Sequence, residues 1–498
     1  MLAGTRRLRT LLLVVAALFF ISSSIYIYWR PSNRFYAAHY ADSPVDPSLG
    51  RQIAFWKAFR AVLQKHAPDC PSPERHLDAG AIGFNAVEAP PRPDVVIFPK
   101  PYVEKMRQAH ANFVEEIKQS KKLQPIHTPG TRGIVSTAGG SYFPVSLASI
   151  RMLRRTGSTL PVEIFVKDAS EYESHVCEEI LPEYNAKCVI LSELLGGTRR
   201  KGVEIAHYQL KIFAVLFSSF EEVIWMDADC FPLHKPEDLL DAEPFKSTGM
   251  VTWPDFWAST ASPLYYQISQ QSIPPMTLRA SSETGVFLIS KKTHFFTLLL
   301  AAYYNYYGPS HYFMLLSQGA PGEGDKETFL QAASALGEPF YTVSERVQAV
   351  GHVKEGGGIA GSAMVQSDPI EDYRLTSQGK WRVKDPSVAK PPPVFFIHAN
   401  YPKFNPGENL FGYKWETTPT LKADGSDGRA WVVPAETIRA FGYDAEKAYW
   451  EEIKWVSCNF ERSFKSWQGK SGICEQVQSY WNNVFAEPHE DDPKFTDE

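Results

Sequence analysis

The sequence lacks a positive-charge surplus: 51 Lys and Arg stand against 56 Asp and Glu, a net charge of −5. No basic field is available to neutralise phosphates along a nucleic acid, so that class of partner is excluded. Six cysteines (Cys70, Cys177, Cys188, Cys230, Cys458 and Cys474) include no CxxC pair, which removes zinc-finger spacing. Gly139-Gly140 is not a GxGxxG fingerprint and no P-loop occurs, so dehydrogenase and P-loop ATPase readings fall away. An Asn-x-Ser/Thr sequon is also missing, which gives secretion no support and does not contradict it.

What is present is enough apolar material for a full core. The 498 residues are 44% hydrophobic and 13% aromatic, which fits one large domain with appendages. From Thr10 to Trp29 there are twenty residues without a charge, preceded by Arg6, Arg7 and Arg9. That length crosses a bilayer and the arginines stay cytoplasmic. A cleaved signal peptide is the rival reading, but Tyr26, Tyr28 and Trp29 form an interfacial belt and no small-x-small cleavage site follows. The expected order is a cytoplasmic tail (1–9), a transmembrane signal anchor (10–29), a luminal stem (30–125), an α/β domain (126–415) and a packed C-terminal extension (416–498). In an oxidising lumen the neighbouring pairs Cys177 with Cys188 and Cys458 with Cys474 are the expected disulfides.

Within the stem, Ile53, Trp56, Phe59 and Leu63 mark one amphipathic helix and Met106, Phe113 and Ile117 another. The proline-rich stretch between them is a spacer or a packed lid. Beyond it, apolar runs at 133–138, 161–166, 188–191, 223–226, 249–253 and 284–290 alternate with helical patterns. Alternation of that kind predicts a mainly parallel sheet. The tyrosines at 303, 304, 306 and 307 read as core.

One strand carries the chemistry. Val223–Met226 delivers Asp227 and Asp229 at its carboxyl end, where open α/β sheets place their ligand crevice. Side chains two apart share a strand face, so both carboxylates can converge on one hard divalent ion such as Mn²⁺ or Mg²⁺. A strand-end turn is the bland alternative for an isolated DxD. Here an amphipathic helix over 207–217 precedes it, which makes chance agreement rarer. Cys230-Phe231-Pro232 breaks the EF-hand pattern, so a structural Ca²⁺ loop is rejected.

The segments WMDAD (225–229), SSETGVFLISK (281–291), GEGDKETF (322–329) and FFIHANYPKF (395–404), in this order and behind an anchor, resemble the fungal Golgi α-mannosyltransferases of glycosyltransferase family 71. The resemblance spans roughly residues 130 to 410. It implies a GT-A type α/β fold, GDP-mannose as donor, Mn²⁺ (or Mg²⁺), a mannose-terminated oligosaccharide acceptor, retention of configuration, and a Golgi membrane location with the possibility of a transferase complex. His398 and Lys403 look like the C-terminal His and Lys of retaining GT-A enzymes such as glycogenin, with slightly different spacing.

The expected site follows. Asp229 ligates the metal, Asp227 ligates it or orients the ribose, and His398 is the third ligand, with a satisfied core histidine as the alternative. Lys403 reaches the diphosphate, while Lys211 touches the nucleotide or merely solvates its helix. Among the carboxylates, Asp325 is expected on the acceptor side, Glu283 at the donor sugar, and Glu327 as a further catalytic candidate. Helix capping is an equal explanation for Asp325 and Glu327. Asp255, with Trp253 and Trp257, is expected to line the acceptor subsite or touch the donor. Linkage stays open between α-1,2 and α-1,3. A UDP-sugar-dependent transferase and a non-catalytic nucleotide-sugar or glycan-binding subunit are the other readings.

Overall fold

Apolar runs flanked by polar turns build a seven-stranded mixed sheet in the computed structural model, which describes residues 47–196, 205–353, 357–411, 418–489, 492, 493 and 495. Its strands are β1 (Thr128–Thr137), β2 (Val162–Val166), β3 (Ala186–Ile190), β4 (Phe220–Met226), β6 (Met250–Ala258), β7 (Ala280–Ser290) and β8 (Tyr341–Thr342). The spatial order is β8-β6-β7-β4-β1-β2-β3. The pairs β1/β2, β1/β4, β2/β3 and β6/β8 are parallel. β7 runs antiparallel to both β4 and β6, so only part of the sheet is the parallel one the sequence suggests. All eleven residues of β7 are buried, and a continuous apolar run reports burial on both faces without reporting direction.

A second, four-stranded antiparallel sheet holds β9 (Gln348–Val353), β10 (Ile359–Ser367), β11 (Val394–His398) and the short β5 (Cys230–Pro232), in the order β9-β10-β11-β5. β5 follows Asp229 directly, and its register sets Cys230 opposite His398. The backbone N–H of Ala399 also donates to the Asp229 carbonyl at 2.9 Å. The seam between the DxD turn and the strand bearing His398 is thus hydrogen-bonded main chain, which fixes their side chains relative to each other.

The described part of the stem is packed against the domain. Helix α1 (Pro47–Lys65) sets Trp56 edge-on to Phe213 at 5.7 Å, and α2 (Lys100–Gln119) stacks Phe113 on Tyr303 at 4.2 Å. The Tyr303 hydroxyl donates to the His66 carbonyl, and His110 pairs with the Tyr304 hydroxyl at 2.7 Å. Tyr303 and Tyr304 are core residues, as their crowding suggests. Even the proline-rich stretch is bound: the Arg92 guanidinium donates to the carbonyls of Ser259, Ala261 and Pro274, and Phe84 N–H donates to Phe256.

Helix α3 (Tyr142–Arg155) covers one face of the sheet and receives α8 (Ala445–Phe460) of the C-terminal region, with Arg151 donating to Glu452 at 2.5 Å. Trp431 stacks on Tyr449, and Tyr449 meets Phe231 of β5 at 4.6 Å. The bridges Cys177–Cys188 and Cys458–Cys474 are formed as expected, and Cys70 and Cys230 are free. Residues 52–498 form one unit. Among the described residues no helix is long and apolar enough to cross a membrane, and the expected anchor at 10–29 lies outside them.

Candidate active site

Asp227 and Asp229 lie just past the end of β4, in a turn closed by the Cys230 N–H donating to the Asp227 carbonyl at 3.0 Å, and this turn, not strand alternation, brings the two carboxylates together. Asp227 and Asp229 lie with His398 so that one ligand atom from each falls within 4.8 Å of the others. His398 Nε2 is 3.1 Å from Asp229 Oδ1 and 3.9 Å from Asp227 Oδ2. The Trp225 indole N–H, two residues before Asp227 on the same strand, donates to Asp227 Oδ1 at 2.9 Å. Asp229 is buried and Asp227 is partly exposed, so the pair is open on one side.

Glu283 stands behind His398. Its Oε1 is 3.2 Å from His398 Nδ1 and accepts from the Gly285 N–H at 2.5 Å. A carboxylate beside Nδ1 orients the imidazole with Nε2 towards the aspartates. Gly285 is required for that approach, because a Cβ there would sit 2.4 Å from His398 Nδ1. Glu283 is therefore built as an orienting group for His398, where the sequence suggested a donor-sugar contact.

Two lysines complete the cluster. Lys403 Nζ is in contact with Asp229 Oδ2 and lies over the Tyr142 ring at 5.9 Å. Lys211 does not solvate its helix: on α4 (Gln209–Phe217) its ammonium is 3.2 Å from Asp227 Oδ1, 3.5 Å from Asp325 Oδ2, and donates to the Thr284 carbonyl at 2.7 Å. Lys291, which the sequence gave no reason to single out, donates to the Leu216 and Ser218 carbonyls at the end of the same helix. Lysine at a helix C-terminus complements its dipole and holds α4 in place.

The electrostatics follow from this crowding. Burial alone would raise the Asp229 carboxyl, yet the charges of His398 and Lys403 hold it below the usual carboxylate range. Burial would lower His398, but Asp229 and Glu283 push it up to about 10. Lys211 is held above its ordinary value by Asp227, Asp325 and Glu283 against the opposing effect of burial. Asp325 moves the other way: burial raises it, only partly offset by Lys211, and its buried Oδ2 carries no hydrogen bond.

Other expected residues lie outside the cluster. Glu327 accepts from Ser282 N–H at 2.7 Å, the Ser259 hydroxyl at 3.1 Å and the Gln331 amide at 3.0 Å, with Arg279 at 3.4 Å. With these partners the carboxylate ties β7 to α6 (Thr328–Leu336). Asp255 is paired with Lys326 at 2.7 Å. Trp253 cannot line a subsite, because it is fully buried with its indole N–H donating to the Ser367 carbonyl; Trp257 is only partly buried. Trp225 and Gly285 were overlooked in the sequence, although the two-residue offset of Trp225 from Asp227 was a usable signal.

Two carboxylates and an imidazole suit a divalent first-row ion that keeps free positions for other ligands. With two ammonium groups beside them at the edge of a mixed α/β sheet, they form a group that could hold a divalent cation and a diphosphate. The chain belongs to the mannosyltransferase family that includes the fungal α-1,2-mannosyltransferases. The family model described as "Mannosyltransferase putative" matches residues 131–280 and 275–368. Alpha-1,2-mannosyltransferase MNN21 of Candida albicans is 34% identical over 77% of this chain and 68% of its own length. MNN2 of Saccharomyces cerevisiae is 30% identical over 77% and 72%, and MNN22 of Candida albicans 34% identical over 60% and 59%. The chain thus spans 59 to 72% of the length of these relatives. Among solved structures, the glycosyltransferase GlyE of Streptococcus pneumoniae aligns at TM-score 0.28 and 13% identity over 43% of this chain and 45% of that one. Mouse xyloside xylosyltransferase 1 aligns at 0.26 and 12%, over 43% and 85%.

Proposed function

We propose that this chain transfers mannose from GDP-mannose to a mannose-terminated glycan, forming an α-1,2 linkage with retention of configuration. The observation that carries the reading is the convergence of Asp227, Asp229 and His398 beside Lys403. A nucleoside diphosphate leaves poorly unless its charge is neutralised, and a divalent cation held by these three residues supplies that Lewis-acid neutralisation. Lys403 adds a positive charge at the same edge, and Lys211 holds Asp227 in place at 3.2 Å. Glu283, 3.2 Å from Nδ1, keeps the His398 ring oriented with Nε2 on the metal side.

Asp325 is the group for the acceptor hydroxyl. Buried, raised from its ordinary value by that burial and 3.5 Å from Lys211, it is suited to take a proton as the sugar bond breaks. Retention places the acceptor on the face from which the diphosphate departs, or else requires a carboxylate nucleophile. The Golgi lumen is the proposed setting, supported by the charge-free run from Thr10 to Trp29 behind three arginines.

The test is incubation of residues 47–498 with GDP-mannose, Mn²⁺ and a short α-mannoside, followed by linkage analysis. An α-1,2-linked product and GDP release are expected. Turnover of UDP-sugars in place of GDP-mannose overturns the donor, an α-1,3 product overturns the linkage, and no turnover with either donor class overturns the activity.

A further inference from the structure

We infer that the large cavity bounded by β6, α6, β9 and residues 381–384 binds an anionic amphiphile, a hydrocarbon chain ending in a phosphate. It measures about 1040 Å³, at the upper end of the roughly 300 to 1,000 Å³ typical of small-molecule sites. None of Asp227, Asp229, His398, Lys211 and Lys403 lines it, so its ligand follows from its own walls, independently of the transferase reading.

The deep wall is apolar, with Leu330, Val343 and Val347 all buried there. Polar side chains around them are already engaged. Ser334 donates to Gln271 at 2.7 Å, Ser344 to Asp372 at 2.8 Å and Gln331 to Glu327 at 3.0 Å, while Thr342 shares a hydrogen bond with Thr252 at 3.0 Å. Two lining charges are closed as well, Asp255 on Lys326 at 2.7 Å and Arg279 on Glu327 at 3.4 Å. A hydroxyl-rich guest therefore meets few open partners in these walls, whereas a hydrocarbon chain gains by leaving water.

The mouth supplies the opposite chemistry. Arg346 and Lys384 both line the cavity, both are exposed, and neither has a carboxylate within ion-pair distance among the described residues. Val383 gathers them: the Arg346 guanidinium donates to its carbonyl at 3.3 Å, and Lys384 follows it in the chain, with its ammonium 5.7 Å from the centre of the Trp381 ring. Neighbouring carboxylates are occupied, Glu345 by Arg382 at 2.8 Å and Asp385 by the Ser387 N–H and hydroxyl at 2.9 and 2.7 Å. The exposed Trp381 ring carries the apolar lining out to Lys384. A phosphate at this mouth accepts from both cations while its chain runs inward over the apolar wall.

The test is calorimetric titration of residues 47–498, which hold every described element, without metal or nucleotide sugar. Octyl phosphate, hexyl phosphate, 1-octanol and inorganic phosphate are the probes. Octyl phosphate is expected to bind, hexyl phosphate about 10-fold more weakly for its two missing methylenes, and 1-octanol and inorganic phosphate more weakly than octyl phosphate. Arg346→Gln/Lys384→Gln removes both charges at exposed positions and is expected to weaken octyl phosphate about 10-fold while leaving 1-octanol unchanged. Leu278→Asp places a negative charge at another exposed lining position and is expected to weaken octyl phosphate too. No binding of octyl phosphate to the wild type overturns the inference, as does unchanged binding in either variant. Inorganic phosphate binding as tightly as octyl phosphate marks a free-anion site and overturns it, and 1-octanol binding as tightly does the same by removing the need for a charge.

Discussion

Asp229 is the residue on which the site depends, because it is buried and touches both His398 and Lys403. Asp229→Asn keeps the shape and removes the charge. Transfer is expected to fall by at least about 10²-fold, the scale of losing one electrostatic stabiliser, as measured by GDP release. Glu283→Gln probes the layer behind it: Mn²⁺ affinity by calorimetry should weaken about 10- to 100-fold while circular dichroism stays unchanged. Gly285→Ala should have a similar effect on Mn²⁺, since the added carbon would displace a histidine held at both nitrogens. Away from the site, His110 is buried against Tyr304 and burial pushes it down to about 4. An unfolded histidine titrates near 6.5, so between these values the unfolded chain binds more protons and stability falls as pH falls. From pH 6.5 to 4.5 this residue should cost about 2 kcal/mol. Chemical denaturation of His110→Phe, compared with the wild type, should lose that part of the pH dependence.

At the level of elements, α1 and α2 are integral to the domain. Phe113 is fully buried and stacked on Tyr303, so Phe113→Ala should cost about 3–5 kcal/mol, visible as a lower Tm. A chain beginning at residue 126 leaves Phe213, Tyr303 and Tyr304 uncovered and is expected to be insoluble. This coverage was not legible in the sequence, since a proline-rich stretch with little periodicity reads equally as spacer or lid. What settles it is long-range: carbonyls of Ser259, Ala261 and Pro274 gathered by Arg92. The DxD strand was legible because its apolar run, length and paired acids are all local. The placement of β11 in a second sheet was not, because strand partners are chosen by tertiary packing. Lys211 was left between touching the nucleotide and solvating its helix for a related reason: the helix is buried almost all round, and the ammonium reaches inward to Asp227 and Asp325 through contacts that only the tertiary fold makes.

Across the whole molecule the C-terminal region is part of the same core, with Trp431 and Tyr449 packed onto Phe231 of β5. The Cys458–Cys474 bridge closes a 16-residue separation within that region. Replacing both by serine should lower unfolding free energy by about 2–4 kcal/mol in thermal or denaturant melts, through the freed unfolded chain. The hydrogen-bonded seam between β5 and β11 matters on this scale as well. It runs inside the second sheet, at the end where β5 leaves the turn that follows β4, and Asp229 comes from one side of it while His398 comes from the other. An ion bridging them would act as a rivet between the end of β4 and β11, and at a hundred times its dissociation constant would add about 2.7 kcal/mol against unfolding. Under the metal-dependent reading proposed above, resistance to heat would then gauge free manganese, and starving the protein of that metal would loosen its architecture as well as silence its chemistry.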